Sequence, residues 1–469
     1  MISKNNFRML LTGLMLMVFI AVRAQFTVGL VKYTIRWQGE LYVTATWAEN
    51  GPDDVVVIPP TVEYHNKTYT VTHVTYNEDF PIYQLVISEG IKYDWTEYPS
   101  GLSYAPALPH LKRLELPGST KTIPLVFQDC PVLEELVLNE GIETIPSRCF
   151  LNSRIRHLHI PASVKEIWGP CSSHNLETIT VDPANEYYYS YNNTLINKKL
   201  NSVVLGNKSM FLPDFVEGIQ DFAYNMISST GEIGRAIDVI IPDHIQWLSR
   251  NAYSIDSINT IYIPRTTKIS PYRSFYCHYL KEIIVADGDE FFHGDWYIAA
   301  SMFYVINKSS TPVIDNVYIG RSKNTSYYLL DETVPHIIKK MTLGPKVAFY
   351  WDYTNRQMAI ESLHSLITNP ETCSVRFGEE IYKNTPLYVP KGTKEFYMVA
   401  EGWENFSVIE EEGTPTGIKS AISDNPYGFG GDEGKAGYYS LEGKPLGEPR
   451  KGVNIVRLSN GKTKKVVVR

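Results

Sequence analysis

Short catalytic signatures are missing from this 469-residue chain: it has no G-x-S-x-G elbow, no H-E-x-x-H helix, no Walker loop and no C-x-x-C pair. Those gaps exclude the commonest serine hydrolases, zincins, P-loop enzymes and dithiol exchangers, and no cofactor is implied. Cysteine is scarce. Cys130, Cys149, Cys171, Cys277 and Cys373 fit no metal-binding spacing, and an odd count in an exported chain leaves at least one unpaired. Unpaired cysteine is among the most readily buried residue types, so core filler is the favoured reading. A bridge such as Cys130–Cys149 is the alternative.

An apolar run occurs only at the start. Lys4 and Arg8 precede Met9 to Val22, and Ala21-Val22-Arg23-Ala24 offers small residues where a signal peptidase reads. The run is shorter than the ~20 residues that span a bilayer. Residues 1–24 therefore read as a cleaved leader, and with Gln at 25 the lipid-modified Cys of a lipoprotein signal is absent. The expected location is the cell surface (outer membrane) or the extracellular space, with no membrane span after cleavage. Excess positive charge is missing too. Without Lys4, Arg8 and Arg23 the chain holds 41 basic against 51 acidic residues, a net charge of −10. Nucleic acid is excluded as a partner, because neutralising phosphates needs a basic surface.

What the chain does have is a period. Leu111/Leu114/Leu116, Leu133/Leu136/Leu138 and Ile155/Leu158/Ile160 repeat an L-x-x-L-x-L signature at a 22-residue step. The pattern resumes at Leu176/Ile179/Val181, Ala236/Val239/Ile241, Ile258/Ile261/Ile263 and Leu280/Ile283/Val285. Weaker copies fall at Ile82/Leu85/Ile87, Ile314/Val317/Ile319 and Ile338/Met341/Leu343. A fixed step between 20 and 29 residues marks a leucine-rich solenoid.

In L-x-L both apolar residues share one face of a strand. A following Pro (117, 161, 242, 264) stops the strand, because it has no N–H for a further ladder bond. Seven residues after the last strand position comes a second apolar residue (Ile123, Ile145, Ile167, Leu248). A ring or Cys follows four or five residues later (Phe127, Phe150, Cys171, Tyr253). Each coil thus predicts one short strand, a turn and a second buried edge. No coil can bury its own apolar face, so neighbours must stack.

The strings LELPGSTKTIPLVFQDC, LHIPASVKEIWGPC and IYIPRTTKISPYRSFYC resemble the repeat of BspA-like leucine-rich-repeat surface proteins of Gram-negative anaerobes. LETITVDPANEYYYSYNNTLINKK resembles that family's longer repeat with an extra hairpin, and residues 386–411 resemble its terminal repeat. The resemblance implies a right-handed solenoid over 80–411 and adhesion-type roles. Residues 25–79 alternate apolar and polar and read as an N-terminal β cap. Residues 412–437, rich in Gly and Asp, read as a linker. Residues 438–469 carry three strand-like pieces and a Ser459-Asn-Gly-Lys turn. This basic β appendage resembles the sorting domains of type IX (Por) secretion.

Candidate chemistry is thin. Glu361 and His364 sit three apart in what reads as a helical stretch, a spacing seen in metal sites. Asp287-Gly288-Asp289-Glu290, with His293 and Asp295, could offer oxygen ligands, yet it lacks a twelve-residue calcium loop and reads as a solvated turn. Aromatic residues are the stronger signal, at 12% with 32 tyrosines. Rings with polar handles suit sugar faces and protein hot spots. The expected contact residues are Tyr187, Tyr188, Tyr189, Trp296, Tyr350 and Trp351, in the irregular coils. Two functions compete. One is a monomeric, non-catalytic recognition protein for an extracellular protein, matrix component or glycan. The other is a polysaccharide-active enzyme on a parallel β-helix with paired carboxylates.

Overall fold

Immediately after residue 24 the apolar–polar alternation becomes a sheet in the computed structural model. Strands Gln25–Val28, Val31–Ile35, Tyr42–Trp47, Lys67–Val74 and Thr61–Tyr64 lie side by side in that order. Phe26, Val31, Tyr33, Val43, Ala45, Trp47 and Val71 fill its buried side. Tyr64 pairs with Lys67 across His65-Asn66, both with positive φ, the two-residue turn whose twist suits a hairpin. The structure describes residues 24–93, 108–291 and 301–412 apart from short breaks, the longest at 36–40, 169–174, 227–235 and 323–327. It also describes the strand backbones of 435–468. Two compact units make up the chain, Met1–Lys339 with Asn355–Ala359, and Lys340–Thr354 with Ile360–Arg469.

In the first unit the 22-residue step becomes a hydrogen-bond register. Leu136 stands beside Leu114 and Leu138 beside Leu116 in parallel strands. Ile258, Ile261 and Ile263 stand beside Leu280, Ile283 and Val285 in the same way. Leu114, Leu116, Leu136, Leu138, Leu158 and Ile160 are all buried, as L-x-L requires. The strand Arg113–Leu116 ends before Pro117 and His157–Ile160 before Pro161. The parallel ladder also reaches further back than the L-x-x-L-x-L copies, since Val56–Ile58 pairs with Gln84–Ile87.

One strand per coil, as the motif alone predicts, understates what forms. The second apolar position carries its own parallel ladder, with Ile145 beside Ile167 and Ile219 beside Leu248 beside Ile269. The third position carries another, through Tyr224–Met226, Tyr253–Ile255, Phe275–Cys277, Ser301–Val305 and Tyr328–Leu330. The reason is geometric. Apolar residues at equivalent places in successive coils stack at the inter-strand spacing of about 4.8 Å, so the backbone beside each falls within hydrogen-bond reach of the next coil. Inside this third ladder runs a column of buried rings. Tyr224–Tyr253, Tyr253–Phe275 and Phe275–Phe303 have centroids 5.0, 5.7 and 5.3 Å apart and planes within 13° of parallel.

A polar clasp ties coil to coil. Glu89 accepts from the Gly118 and Ser119 amides at 2.6 and 3.1 Å, and Ser119 Oγ donates to the Ile91 carbonyl. Two coils on, Glu140 accepts from Ala162 and Ser163, and Ser163 Oγ donates to Ile142. The P-x-S stretch thus places its amides and hydroxyl where the preceding turn needs partners. Gly118 and Gly141 meet here, and a Cβ on Gly118 would lie 1.7 Å from the Glu140 carbonyl. The long repeat contains the extra hairpin that its sequence resemblance implies. Tyr188–Tyr191 and Thr194–Asn197 pair antiparallel across Asn192-Asn193, both with positive φ.

In the second unit, Leu387–Pro390 pairs in parallel with Met358–Ser365 on one side and Ile409–Glu412 on the other. Trp351–Tyr353 pairs with Val375–Phe377. A short helix forms at Lys394–Tyr397. Behind it Trp403 Nε1 donates to the Cys373 carbonyl at 2.6 Å, and Tyr397 donates to the Ile367 carbonyl at 2.7 Å. Gly402, at φ +81°, lets the chain pass so close that a Cβ would lie 1.7 Å from the Val375 carbonyl. The C-terminal strands Lys435–Tyr439, Gly452–Leu458 and Thr463–Val468 form an antiparallel sheet with Pro445–Leu446 at its edge.

Cys130, Cys149, Cys277 and Cys373 are buried, and burial pushes the Cys277 thiol well up. Cys171 lies outside the described residues, as do 1–23 of the leader and 413–434 of the linker.

Candidate recognition surface

Alternate residues of the main ladder point away from the core, and their character changes along the chain. Over 113–180 they are polar apart from Val137, and most are paired with the next coil. Arg113 bonds Glu135 and Glu115, each at 3.0 Å, and the Glu135 bond raises the guanidinium pKa further. His157 meets Thr178 at 2.7 Å, and His159 meets Thr180 at 3.0 Å. Beside them Glu143 bridges Lys165 and Lys121, whose hydrogen bonds and charges lower its carboxyl. Over 260–318 the same face carries Tyr262, Ile284 and Tyr318 side by side, all buried. Burial pushes the Tyr262 phenol up to about 12. Tyr318 donates to Asp287 at 2.7 Å.

The proposed metal-type residues take other roles. Asp287 serves Tyr318, and Glu290 lies 3.6 Å from Lys268. His293 and Asp295 lie outside the described residues. Arg321, fully buried, donates to the Arg265 and Thr267 carbonyls and is pushed down to about 10 by burial. Glu361 and His364 stand on a strand, Met358–Ser365, and not on a helix. At a spacing of three on a strand they face opposite sides. Glu361 is exposed, whereas His364 is buried with its Nδ1 2.8 Å from Glu412. No group of three or more His, Cys, Asp or Glu that could hold a metal ion occurs among the described residues.

The aromatic candidates divide sharply. Tyr188 belongs to the core, 4% exposed, with its hydroxyl donating to the Lys165 carbonyl. Burial raises its phenol pKa, and raises that of half-buried Tyr189 as well. Tyr187 is open to solvent. Trp296 and Tyr350 lie outside the described residues, and of Trp351 only the backbone is described, in Trp351–Tyr353.

The hairpin gathers more exposed apolar surface than the tyrosine run alone suggests: Tyr187 (43%), Tyr191 (44%), Leu200 (51%) and Phe215 (39%). Tyr191 packs edge-on against Phe215 at 5.0 Å and tilts toward Phe211 at 6.2 Å. Trp168, 59% exposed, is a further surface ring that the reading of clusters passed over. Its signal was present. It occupies the slot after the second apolar residue, where other coils carry Pro124, Pro146, Ser249 and Ser270.

Residues 106–214 and 207–319 match the family described as BspA type Leucine rich repeat region, in six copies. Over those residues the chain is similar to BspA-type leucine-rich repeats. Solved structures similar to the chain include the pneumococcal vaccine antigen PcpA, at 13% identity over 83% of this chain and 99% of that one, TM-score 0.43. A leucine-rich repeat protein from Bacteroides ovatus is 16% identical over 83% and 100%, TM-score 0.41. A leucine rich cell surface protein from Faecalibacterium prausnitzii is 13% identical over 85% and 97%, TM-score 0.32. No curated protein matches the chain. No helix among the described residues is long and apolar enough to cross a membrane, which says nothing of strands.

Proposed function

We propose that this chain is an exported, non-catalytic recognition protein of the cell surface or extracellular space, binding an extracellular protein or glycan as a monomer. One observation carries the reading. In a stack whose outward residues are mostly polar and paired with the next coil, the hairpin-bearing repeat exposes Tyr187, Tyr191, Leu200 and Phe215, with Tyr191 packed on Phe215. Large rings of this kind dominate interface energy when desolvated, and solenoids hold them on a rigid frame. On this reading residues 1–24 are removed on export, 25–79 cap the right-handed stack of 80–411, and 412–437 tether a tail, 438–469, that serves sorting.

The three ladders per coil over 237–277 give a second reading some ground, a polysaccharide-active β-helix. Against it, the carboxylates on this face are engaged structurally. Glu282 accepts from Thr260 and Asn316, and Asp315 pairs with Lys339 at 2.6 Å.

The test is binding of the mature chain to glycan and matrix-protein arrays, followed by alanine at Tyr187, Tyr191 and Phe215. Turnover of a polysaccharide that a single carboxylate substitution abolishes would replace the first reading by the second.

A further inference from the structure

The first strand of the mature chain raises a question of chemistry at its end. If the leader is cut after Ala24, as the proposed export requires, the new α-amine belongs to Gln25. A glutamine in that position can close on itself. The α-amine attacks the side-chain Cδ, the bond from Cδ to the amide nitrogen breaks, and the nitrogen leaves as ammonia. A five-membered lactam remains, with no oxidant or co-reactant consumed.

Whether the fold admits this ring depends on where the Gln25 backbone points. Ile35 N–H donates to the Ala24 carbonyl at 2.9 Å, just outside the Gln25–Thr34 pair. In an antiparallel ladder a bond at that place makes the enclosed pair the open kind, whose own N–H and C=O turn away from the partner strand. Phe26 and Tyr33, the next pair, exchange the bonds instead. The Gln25 nitrogen therefore takes no part in the sheet. Gln25–Val28 is also the edge strand, so that nitrogen faces outward, and the Gln25 side chain is exposed. Ring closure breaks no ladder bond.

What stands behind Gln25 gives the lactam a use. Phe26 is buried, stacked on Tyr64 at 4.1 Å and on Tyr33 at 5.2 Å. An aminopeptidase that removed Gln25 and then Phe26 would take an anchor ring out of the N-terminal sheet and leave Tyr33 and Thr34 without their edge partners. Lactam formation removes the free α-amine such enzymes grip.

We propose that the mature chain carries a pyroglutamyl residue at position 25, which seals this edge strand against trimming. The proposal rests on the leader reading, and one measurement separates the two. Mass spectrometry of the N-terminal peptide, taken from the full chain secreted by its producing cells and at harvest, reports the first residue and its mass. A peptide beginning at residue 25 and lighter by one ammonia is expected. The encoded mass at residue 25, or an ammonia loss that starts near zero and grows only during storage, would overturn the lactam and leave the leader boundary standing. A different first residue would overturn both. Aminopeptidase treatment gives the functional arm. Wild-type chain should keep Phe26, whereas Gln25→Ala, which cannot cyclise, should lose it. Equal trimming of the two would remove the protective role.

Discussion

The coils of 113–182 and those of 237–319 share one core lattice and differ on the face turned away from it. In both, equivalent apolar residues stand beside each other in parallel register. The earlier coils show Arg113, Glu135, His157 and Thr178 outward, paired across coils. The later ones show Tyr262, Ile284 and Tyr318, and a ring column replaces the Phe and Cys of the third position. Stacking constrains only the inward positions, because those alone must match the next coil in shape and spacing. Outward positions are free to diverge, and that freedom is where a repeat protein keeps specificity. The hairpin of 188–197 is the extreme case, an insertion that carries exposed rings and passes through Ser202–Leu205 into the second-position ladder.

This contrast can be attacked from its strongest side first. Phe275→Ala, in the middle of the ring column, should cost about 3–5 kcal/mol in denaturant unfolding, the range for a large buried ring. Leu136→Ala in the earlier coils should cost about 2–5 kcal/mol. A loss below 1 kcal/mol at either place would mean that the lattice is not what holds the coils. Gly402→Ala, forced against the Val375 carbonyl at positive φ, should cost roughly 3 kcal/mol, read by the same method.

Smaller effects sharpen the difference between faces. Once an array ligand is in hand, Tyr191→Ala and Phe215→Ala should each weaken it about tenfold, as hot-spot truncations do, with thermal unfolding unchanged. If affinity drops only in step with stability, these rings are packing and not contacts.

The pH dependence should come from buried imidazole. Burial lowers the pKa of His336, whose Nε2 meets the Val305 carbonyl at 3.1 Å. A group that binds its proton more weakly when folded makes the unfolded state the better proton acceptor. Stability should therefore fall as pH drops below the ordinary imidazole value of 6.5 toward the lower folded value. His336→Gln should flatten that slope relative to wild type in urea titrations at pH 7 and pH 5. Least of all, Glu143→Gln should leave the melting temperature unchanged within error, since an exposed bridge between two lysines is screened by solvent.

Much of this was legible beforehand, for identifiable reasons. The period, the inward Leu114, Leu136 and Leu158, the Pro stops and the second apolar edge all follow from local pattern, because strand alternation and coil length are local properties. The hairpin was legible only through the resemblance of 176–199 to the family's longer repeat, and the structure turns it at Asn192-Asn193, residues that tolerate positive φ. Other features depend on residues about a coil apart. The clasp from Glu89 to Gly118 and Ser119 spans 29 and 30 residues, and the Gly118–Gly141 approach exists only once two coils are stacked. The three-ladder cross-section arises the same way, since two-residue strands such as Glu166–Ile167 acquire hydrogen bonds only from a neighbour.

The division among the tyrosines shows most plainly where sequence stops. By itself the chain determined that rings cluster at 187–191, and its period determined which coil holds them. Tertiary structure decided that Tyr188 reaches the Lys165 carbonyl and is buried while Tyr187 and Tyr191 stay in solvent. It also decided that Glu361 and His364 part to opposite faces of a strand. The physical reason is common to both. Which side of a strand is inside depends on what packs there, and that partner is supplied by another coil, not by the residues next in line.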